Sequence, residues 1–231
     1  MLSKHHIELS LLSTFILFGW LIFQNSITFL AISAGVFIGC LLPDTDLARS
    51  KIDYMDGIAG FFGVITKKIL NPLVAIIFEY LLKKPIDQSH RGITHTIYGI
   101  ATYCLFIEVI GLPILFFLGF FNFILTYSFF VFGLFFGGIL HLMEDSCTKM
   151  GILPFYPIND NKKYSGDIST FDLNEMRPKY YSVFLLVVSI FLLLFQVYYT
   201  HPISIDILMS IILFLIVWKI IASFSKISKY P

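Results

Sequence analysis

Successive apolar runs, each close to the length needed to cross a bilayer, constrain this chain more than any other feature of its sequence. A membrane-spanning helix needs about 20 mostly apolar residues, with a range of about 17–25. Six such runs cover residues 9–23, 27–42, 96–118, 123–143, 181–199 and 203–222. Only 13% of the residues are charged and 57% are hydrophobic, whereas about a quarter of a typical soluble domain is charged. The sequence therefore predicts an all-α, polytopic membrane helix bundle of about six transmembrane helices.

Two apolar segments need separate interpretation. Residues 1–24 have the lysine and the apolar stretch of a signal peptide, but no small-residue cleavage site follows, so we interpret them as a retained first span. Residues 69–82 are apolar but too few to cross a bilayer comfortably. Lysine pairs stand at both ends of this short run, at 67–68 and 83–84. Because both ends favour the same side of the membrane, we predict an interfacial or re-entrant helix.

The distribution of lysine and arginine predicts the orientation. Six spans place both termini and the two long loops, 43–95 and 144–180, on one side of the membrane. All 16 Lys and Arg residues then fall on that side or at its boundary. Since cytoplasmic loops carry the excess of positive charge, we expect this side to be cytoplasmic, with both termini inside the cell.

Four clusters of ionisable residues interrupt the apolar pattern, and this topology brings all four to the cytoplasmic face. Each cluster alone could be a surface histidine pair, a solvated loop or a helix cap. Ionisable groups at the helix ends of a membrane bundle are costly, however, unless they are paired or functional. Together the clusters supply seven candidate metal ligands: His6, Asp44, Asp46, His90, His95, His141 and Asp145.

The spacing within the clusters suits metal coordination. His141 and Asp145 are four residues apart, so a helix places them on one face. Asp44 and Asp46 follow a helix-ending proline, and an extended segment would point both to the same side. Imidazole and carboxylate ligands favour zinc, with manganese and iron as alternatives. Seven ligands exceed one tetrahedral site, so the sequence predicts a divalent metal centre that could hold two or more ions.

Such a centre would activate water for attack on an ester. Asp46 or Asp145 could accept the proton. Arg91 has a planar guanidinium group that suits a phosphate or a carboxylate, and a positively charged membrane anchor is an equally good interpretation. Glu144 is expected to face away from the partners of Asp145, with the role of a base beside the site as the alternative.

The joint motif resembles a known family. The stretches Gly39-Cys-Leu-Leu-Pro-Asp44-Thr-Asp46, His90-Arg-Gly-Ile-Thr-His95, and His141 to Asp145 with its flanking residues resemble the YdjM-like family of inner-membrane, predicted metal-dependent hydrolases. The resemblance covers residues 5–157. That family also carries a histidine near the N-terminus, which matches His6 better than His5.

The resemblance implies a helical membrane fold with a metal site at the cytoplasmic face, made by the seven candidate ligands. It also implies a distant similarity to zinc-dependent phospholipase C and P1-type nucleases, which act on phosphoesters. Leu47 departs from the pattern, since some relatives place a histidine there. One coordination position would then be filled by water or by another residue.

The predicted organisation is one membrane domain over residues 1–231. It comprises the motif-bearing core 5–157, a cytoplasmic loop over 158–180 and two C-terminal helices within 181–222. Inside the loop, the polar stretch 165–167 is predicted to be a solvated turn.

The sequence predicts a membrane-bound, metal-dependent hydrolase of the inner membrane that uses metal-activated water, with a phosphoester, such as that of a lipid, as the substrate. The alternative is a non-catalytic membrane protein that binds or transports metal, in which Glu108 and Asp206 would belong to a polar path across the membrane. A third hypothesis is a scaffold with a structural metal. Membrane lipids are the expected partners, and nothing in the sequence predicts a nucleic-acid partner.

Overall fold

Long apolar helices make up most of the chain in a computed structural model that describes residues 3–46, 57–83, 86, 92–159, 162–170, 172, 174–199 and 202–230. The helices are α1 (Ser3–Phe18), α2 (Leu21–Gln24), α3 (Ser26–Gly39), α4 (Gly57–Ile65), α5 (Asn71–Leu82), α6 (Ile97–Phe117), α7 (Ile124–Ser146), α8 (Arg177–Tyr198) and α9 (Ile203–Phe224). Short 3-10 turns cover Pro43–Asp46, Ile93–His95 and Phe121–Phe123. Two short strands, β1 (Lys163–Ser165) and β2 (Ser228–Tyr230), complete the described elements.

Five helical segments of the described residues are long and apolar enough to cross a membrane. They are Ser26–Thr45, Ile97–Phe117, Phe121–Ser146, Arg177–Tyr198 and Ile203–Phe224, and they correspond to the second to sixth predicted spans. The structure therefore confirms the predicted all-α helix bundle.

The first predicted span differs in its bounds from the apolar run. α1 begins at Ser3 and has 16 residues, so His6 lies within the helix rather than before it. Gly19 and Trp20 interrupt the helix before α2. Leu9 and Ile16 are buried where α1 packs against α8 and α9. Because 16 residues fall just below the usual range for a spanning helix, the first span stays a prediction.

The segment predicted as an interfacial or re-entrant helix is part of a longer helical stretch. α4 and α5 are joined by one π-helical turn, Thr66–Leu70, so helical backbone extends from Gly57 to Leu82. One face packs against the start of α6 through Leu70, Val74, Ala75, Ile93 and Tyr103. The opposite face exposes large apolar side chains, including Ile76 and Tyr80. This exposed apolar surface agrees with a segment in contact with lipid, and its interfacial or re-entrant position stays a prediction.

The helices α3 and α7 cross with their backbones in contact. A Cβ atom added to Gly35 would lie 2.1 Å from the carbonyl oxygen of Phe130, and one added to Gly39 would lie 2.2 Å from that of Leu134. On α7, Gly133 and Gly137 approach the backbone of α3 in the same way. Small residues four apart let helix backbones touch in membranes. The crossing therefore brings the C-terminal end of α3 against the C-terminal half of α7.

A small antiparallel ribbon lies at the same end of the bundle. β1 pairs with β2, and Thr148 after α7 forms a bridge with Ile168. Ser165 is buried in this ribbon, and Asp167 forms ion pairs with Arg177 and with Lys226, the latter at 3.1 Å. The prediction of a solvated turn over 165–167 is therefore wrong. The ribbon places the C-terminal strand beside the loop between α7 and α8, as the predicted topology requires.

Candidate metal centre

One end of the bundle gathers five of the seven candidate ligands. His6 comes from α1, Asp44 from the turn after α3, His95 from the turn before α6, and His141 and Asp145 from the last turns of α7. The three imidazoles and the Asp145 carboxylate are at most 1% exposed in the residue as a whole. The side chain of Asp44 retains 15% exposure, so the cluster is closest to solvent on the Asp44 side.

Two imidazoles and two carboxylates alternate around a common point. His95 Nε2 lies 3.5 Å from Asp44 Oδ1 and 3.8 Å from Asp145 Oδ2. His141 Nε2 lies 3.7 Å from each of the same two oxygens. These distances are too long for hydrogen bonds. Two ligand atoms bound about 2.1 Å from one tetrahedral zinc ion would be about 3.4 Å apart, so the observed spacing is close to that of a four-ligand site.

The ring orientations also fit metal binding. In each of the three imidazoles, Nδ1 is in a hydrogen bond and Nε2 faces the carboxylates. The Nδ1 contacts are His6 to Glu144 Oε2 at 2.5 Å, His95 to Thr94 Oγ1 at 3.0 Å, and His141 to the carbonyl oxygen of Cys40 at 2.7 Å. A metal-binding histidine characteristically donates its other ring N–H to an oxygen, and each of these three oxygens can accept such a bond.

His141 shows this tautomer most clearly. A main-chain carbonyl can only accept a hydrogen bond, so Nδ1 of His141 carries a proton, and in the neutral ring Nε2 then carries the lone pair. That Nε2 atom is buried and has no hydrogen-bond partner among the described residues. A buried nitrogen lone pair that faces two carboxylate oxygens fits a divalent cation between them.

Asp145 divides its two oxygens between different histidines. Oδ2 faces His95 and His141, whereas Oδ1 lies 3.8 Å from His6 Nε2. The His6 ring stacks on the His141 ring with centroids 4.1 Å apart. His6, Asp44 and His141 also bring ligand atoms within 4.8 Å of one another. Because the one lone pair of His141 Nε2 serves a single ion, a second ion would rest on His6 Nε2 and Asp145 Oδ1, with Asp145 between the two positions.

A protein-family model described as YdjM inner membrane protein matches residues 1–227. The chain belongs to the YdjM inner membrane protein family. Its five apolar helices and this membership make it an integral inner-membrane protein. Searches of curated proteins and of solved structures gave no significant match. The family match extends past the motif-bearing residues 5–157 and includes α8 and α9, which the sequence motifs did not assign.

The other predicted site residues of this YdjM family member are His90, Arg91 and Asp46. His90 and Arg91 lie outside the described residues, and Asp46 is described by its backbone alone. That backbone forms a 3-10 turn over Pro43–Asp46, so the prediction of an extended segment at Asp44 and Asp46 is wrong. In a 3-10 turn, residues two apart point in different directions. The position of Asp44 in the cluster therefore carries no implication for Asp46, and all seven ligand roles stay predictions.

Glu144 is the residue that the sequence interpretation misplaced. It does not face away from the cluster: its carboxylate is fully buried, and its Oε2 atom contacts the His6 ring. Its other oxygen, Oε1, accepts a hydrogen bond from Ser10 Oγ at 2.9 Å. Residues three apart on a helix are neighbours, so the spacing from His141 to Glu144 already placed both at the same face of α7.

Proposed function

We propose that this YdjM family member is a metal-dependent hydrolase that cleaves a phosphoester at the cytoplasmic face of the membrane. The observation that supports it most directly is the alternating arrangement of His95, His141, Asp44 and Asp145, with imidazole-to-carboxylate distances of 3.5–3.8 Å. Mixed nitrogen and oxygen donors suit zinc, with manganese or iron as alternatives. A divalent ion bound there supplies Lewis acidity and acidifies a coordinated water.

The surrounding residues define how a substrate would approach. Burial of the three imidazoles keeps bulk water away from the donors and strengthens electrostatic interactions at the cluster. Asp44 is the most exposed of the described ligands, so the substrate would reach the centre from its side. Asp46 and Asp145 are the candidate proton acceptors. Arg91 is the candidate partner for the phosphate group.

An apolar groove at the same end of the bundle favours a lipid substrate. It has a volume of about 300 Å³. Its lining comes from α6, α7, the segment after α7 and β1: Ile97, Ile139, Leu142, Met143, Ser146, Ile152, Pro154, Phe155 and Tyr164. Ile97 is two residues from His95, and Leu142 directly follows His141. Neighbouring residues on a helix point in different directions, so an acyl chain in this groove would lie at the depth of the cluster but on a different face of α7 from His141.

The cytoplasmic orientation of this end is part of the same proposal. All 16 Lys and Arg residues fall on its side of the predicted topology or at the boundary of that side. The ribbon of β1 and β2 places the C-terminal strand on that side as well. The positive-inside rule then puts both termini and the metal centre in the cytoplasm.

The transport alternative gains no support from Glu108. Its Oε1 atom accepts a hydrogen bond from Ser128 Oγ at 2.6 Å, which joins α6 to α7. A hydrogen bond between neighbouring helices is a common role for a polar side chain in a membrane bundle. We therefore assign Glu108 to helix packing rather than to a path for ions.

The test combines metal content with hydrolysis. The protein would be purified in detergent, and its zinc, manganese and iron would be measured beside those of a His141→Ala/Asp145→Ala double variant. The matched control is His5→Ala, because His5 neighbours His6 but faces Glu8 at 3.6 Å. We expect about one or two equivalents of metal in the wild type and the control, lost in the double variant. Hydrolysis of phosphoesters in a screen of lipid and soluble substrates should follow the metal content. Metal-free wild type after reconstitution would overturn the proposal.

A further inference from the structure

Glu144 is a buried carboxylate that the proposed ligand set does not include. It is 0% exposed, and both of its oxygens contact α1, since Oε2 meets His6 Nδ1 and Oε1 meets Ser10 Oγ. His6 and Ser10 are four residues apart and therefore share one face of α1. The carboxylate thus joins the end of α7 to the beginning of α1.

A carboxylate in this position is costly unless it performs a task. Removing an ionised carboxylate from water is costly, and the cost is offset only by good hydrogen bonds or by a partner charge. Among the described residues, no lysine or arginine forms an ion pair with Glu144, and His6 is its ion-pair partner. An apolar side chain of similar volume would pack α1 against α7 without that cost. The carboxylate therefore points to a function at His6.

That function is to fix the imidazole of His6. An ionised carboxylate only accepts hydrogen bonds, so beside a neutral ring it holds the His6 proton on Nδ1 and leaves the Nε2 lone pair facing Asp145 Oδ1 at 3.8 Å. The His6 ring stacks on the His141 ring with an interplanar angle of 21°. The same stack would be possible with the His6 ring turned by 180°. Glu144 selects one of these two orientations, and Ser10 holds the carboxylate in place.

We propose that Glu144 is a positioning residue that presents His6 Nε2 to a metal ion, an inference that rests on the metal centre of the proposed function. Oxygen groups that orient metal-binding histidines typically change metal affinity about 10–100-fold when they are removed. His6 is the one candidate ligand that α1 contributes among the described residues. Glu144 of α7 orients it and so completes the centre.

Cobalt(II) binding to metal-stripped, detergent-solubilised protein tests this role without any assay of activity. Glu144→Met fills the space but accepts no hydrogen bond from a ring N–H of ordinary strength, whereas Glu144→Gln keeps an acceptor oxygen for His6. We expect Glu144→Met to weaken cobalt binding about 10–100-fold and to change the visible absorption of the bound ion. Glu144→Gln should stay within about tenfold of the wild type. Gel filtration and thermal unfolding of each variant would show that the fold is kept.

The same titration in a His6→Ala background separates positioning from general stabilisation. If Glu144 acts through His6, adding Glu144→Met to His6→Ala should weaken cobalt binding no further. A further loss in that background, or unchanged affinity in Glu144→Met alone, would overturn the positioning role. If the wild type itself bound no cobalt, the metal centre of the proposed function would be overturned. Failure of the positioning role alone differs from this, because the wild type would then still bind cobalt.

Discussion

Nδ1 of His141 lies 2.7 Å from the main-chain carbonyl oxygen of Cys40, the residue after the last turn of α3. This bond joins the end of α3 to α7 and turns His141 Nε2 toward the two carboxylates. It requires the two helix backbones to lie in contact, and the glycines of the crossing permit that approach. The geometry of the candidate centre thus depends on residues one and two turns away that cannot bind metal.

Replacing Gly35 by leucine should therefore damage both the fold and the centre. A Cβ atom there would lie 2.1 Å from a backbone oxygen of α7, and backbone cannot move aside as a flexible side chain can. Overpacking of this kind costs about 1–3 kcal/mol or more. We expect a lower melting temperature in detergent and a loss of bound metal. Ala34→Leu is the matched control, because Ala34 is the preceding residue and is exposed. Equal melting temperatures for the two variants would contradict the close crossing.

The parts of the fold that the sequence predicted are those with strong, local signals. Five of six apolar runs became long helices within a few residues of the predicted bounds, since run length and composition decide which segments can span a membrane. The convergence of His6, Asp44, His95, His141 and Asp145 was also predicted, because antiparallel spans return alternate helix ends to one side. The described structure brings these five residues together.

The parts that the sequence could not predict depend on contacts between distant segments. The bond from Glu144 to His6 joins residues 138 positions apart, and no local pattern reports a helix pairing of that kind. Ser165 was predicted to lie in a polar turn because its strand partner, Ser228, is in the C-terminal segment and no nearby residue indicates the pairing. The turn at Asp44 was expected to be extended because a proline indicates where a helix ends but does not determine the conformation of the next residues.

Membrane orientation can be tested with single cysteines. The three native cysteines, Cys40, Cys104 and Cys147, are all buried and should give little background labelling. Asn122 lies in the exposed turn between α6 and α7, and Lys229 lies on β2 at the opposite end of the bundle. In intact cells, a membrane-impermeant maleimide should label Asn122→Cys, and it should label Lys229→Cys only after the membrane is opened. The reverse pattern would place the candidate centre outside the cytoplasm.

The ion pairs beside β1 predict a specific loss of stability in acid. Arg177 hydrogen-bonds Glu175 at 2.5 Å and 2.8 Å, and this contact lowers the pKa of the Glu175 carboxyl to about 2. Because the pKa is lower in the folded state than in the unfolded state, the ionised carboxylate stabilises the fold above about pH 4.5. That contribution disappears as the pH falls from about 4.5 toward 2.

Glu175→Gln should thus be less stable than the wild type at pH 7, by about 0.2–1 kcal/mol for a pair near the surface. Melting temperatures measured from pH 7 to pH 3 should converge as the solution becomes acidic. Asp172→Asn is the control, since Asp172 is exposed and accepts a hydrogen bond from Asn174 within a local turn. A gap between wild type and Glu175→Gln that widens in acid would have the wrong sign for this ion pair.

A tryptophan at Ile139 should separate lipid substrates from soluble ones. Ile139 lines the groove of about 300 Å³, and it precedes His141 by two residues, so the groove lies at the depth of the candidate centre. An indole ring there would occupy space that an acyl chain needs, while the described ligands of the centre keep their side chains. One methylene in an apolar pocket is worth about tenfold or more in kcat/KM, so loss of several contacts should lower hydrolysis of a long-chain lipid phosphoester by at least about tenfold.

Hydrolysis of a small soluble phosphoester and the metal content should stay close to wild type in Ile139→Trp, because neither needs the groove. Leu105→Trp serves as the control, since Leu105 is 63% exposed on α6 and does not line the groove. A parallel fall for both substrates would mean that tryptophan disturbs the centre itself. An unchanged rate with the lipid would remove the groove from the substrate site and leave soluble phosphoesters as the better substrate class.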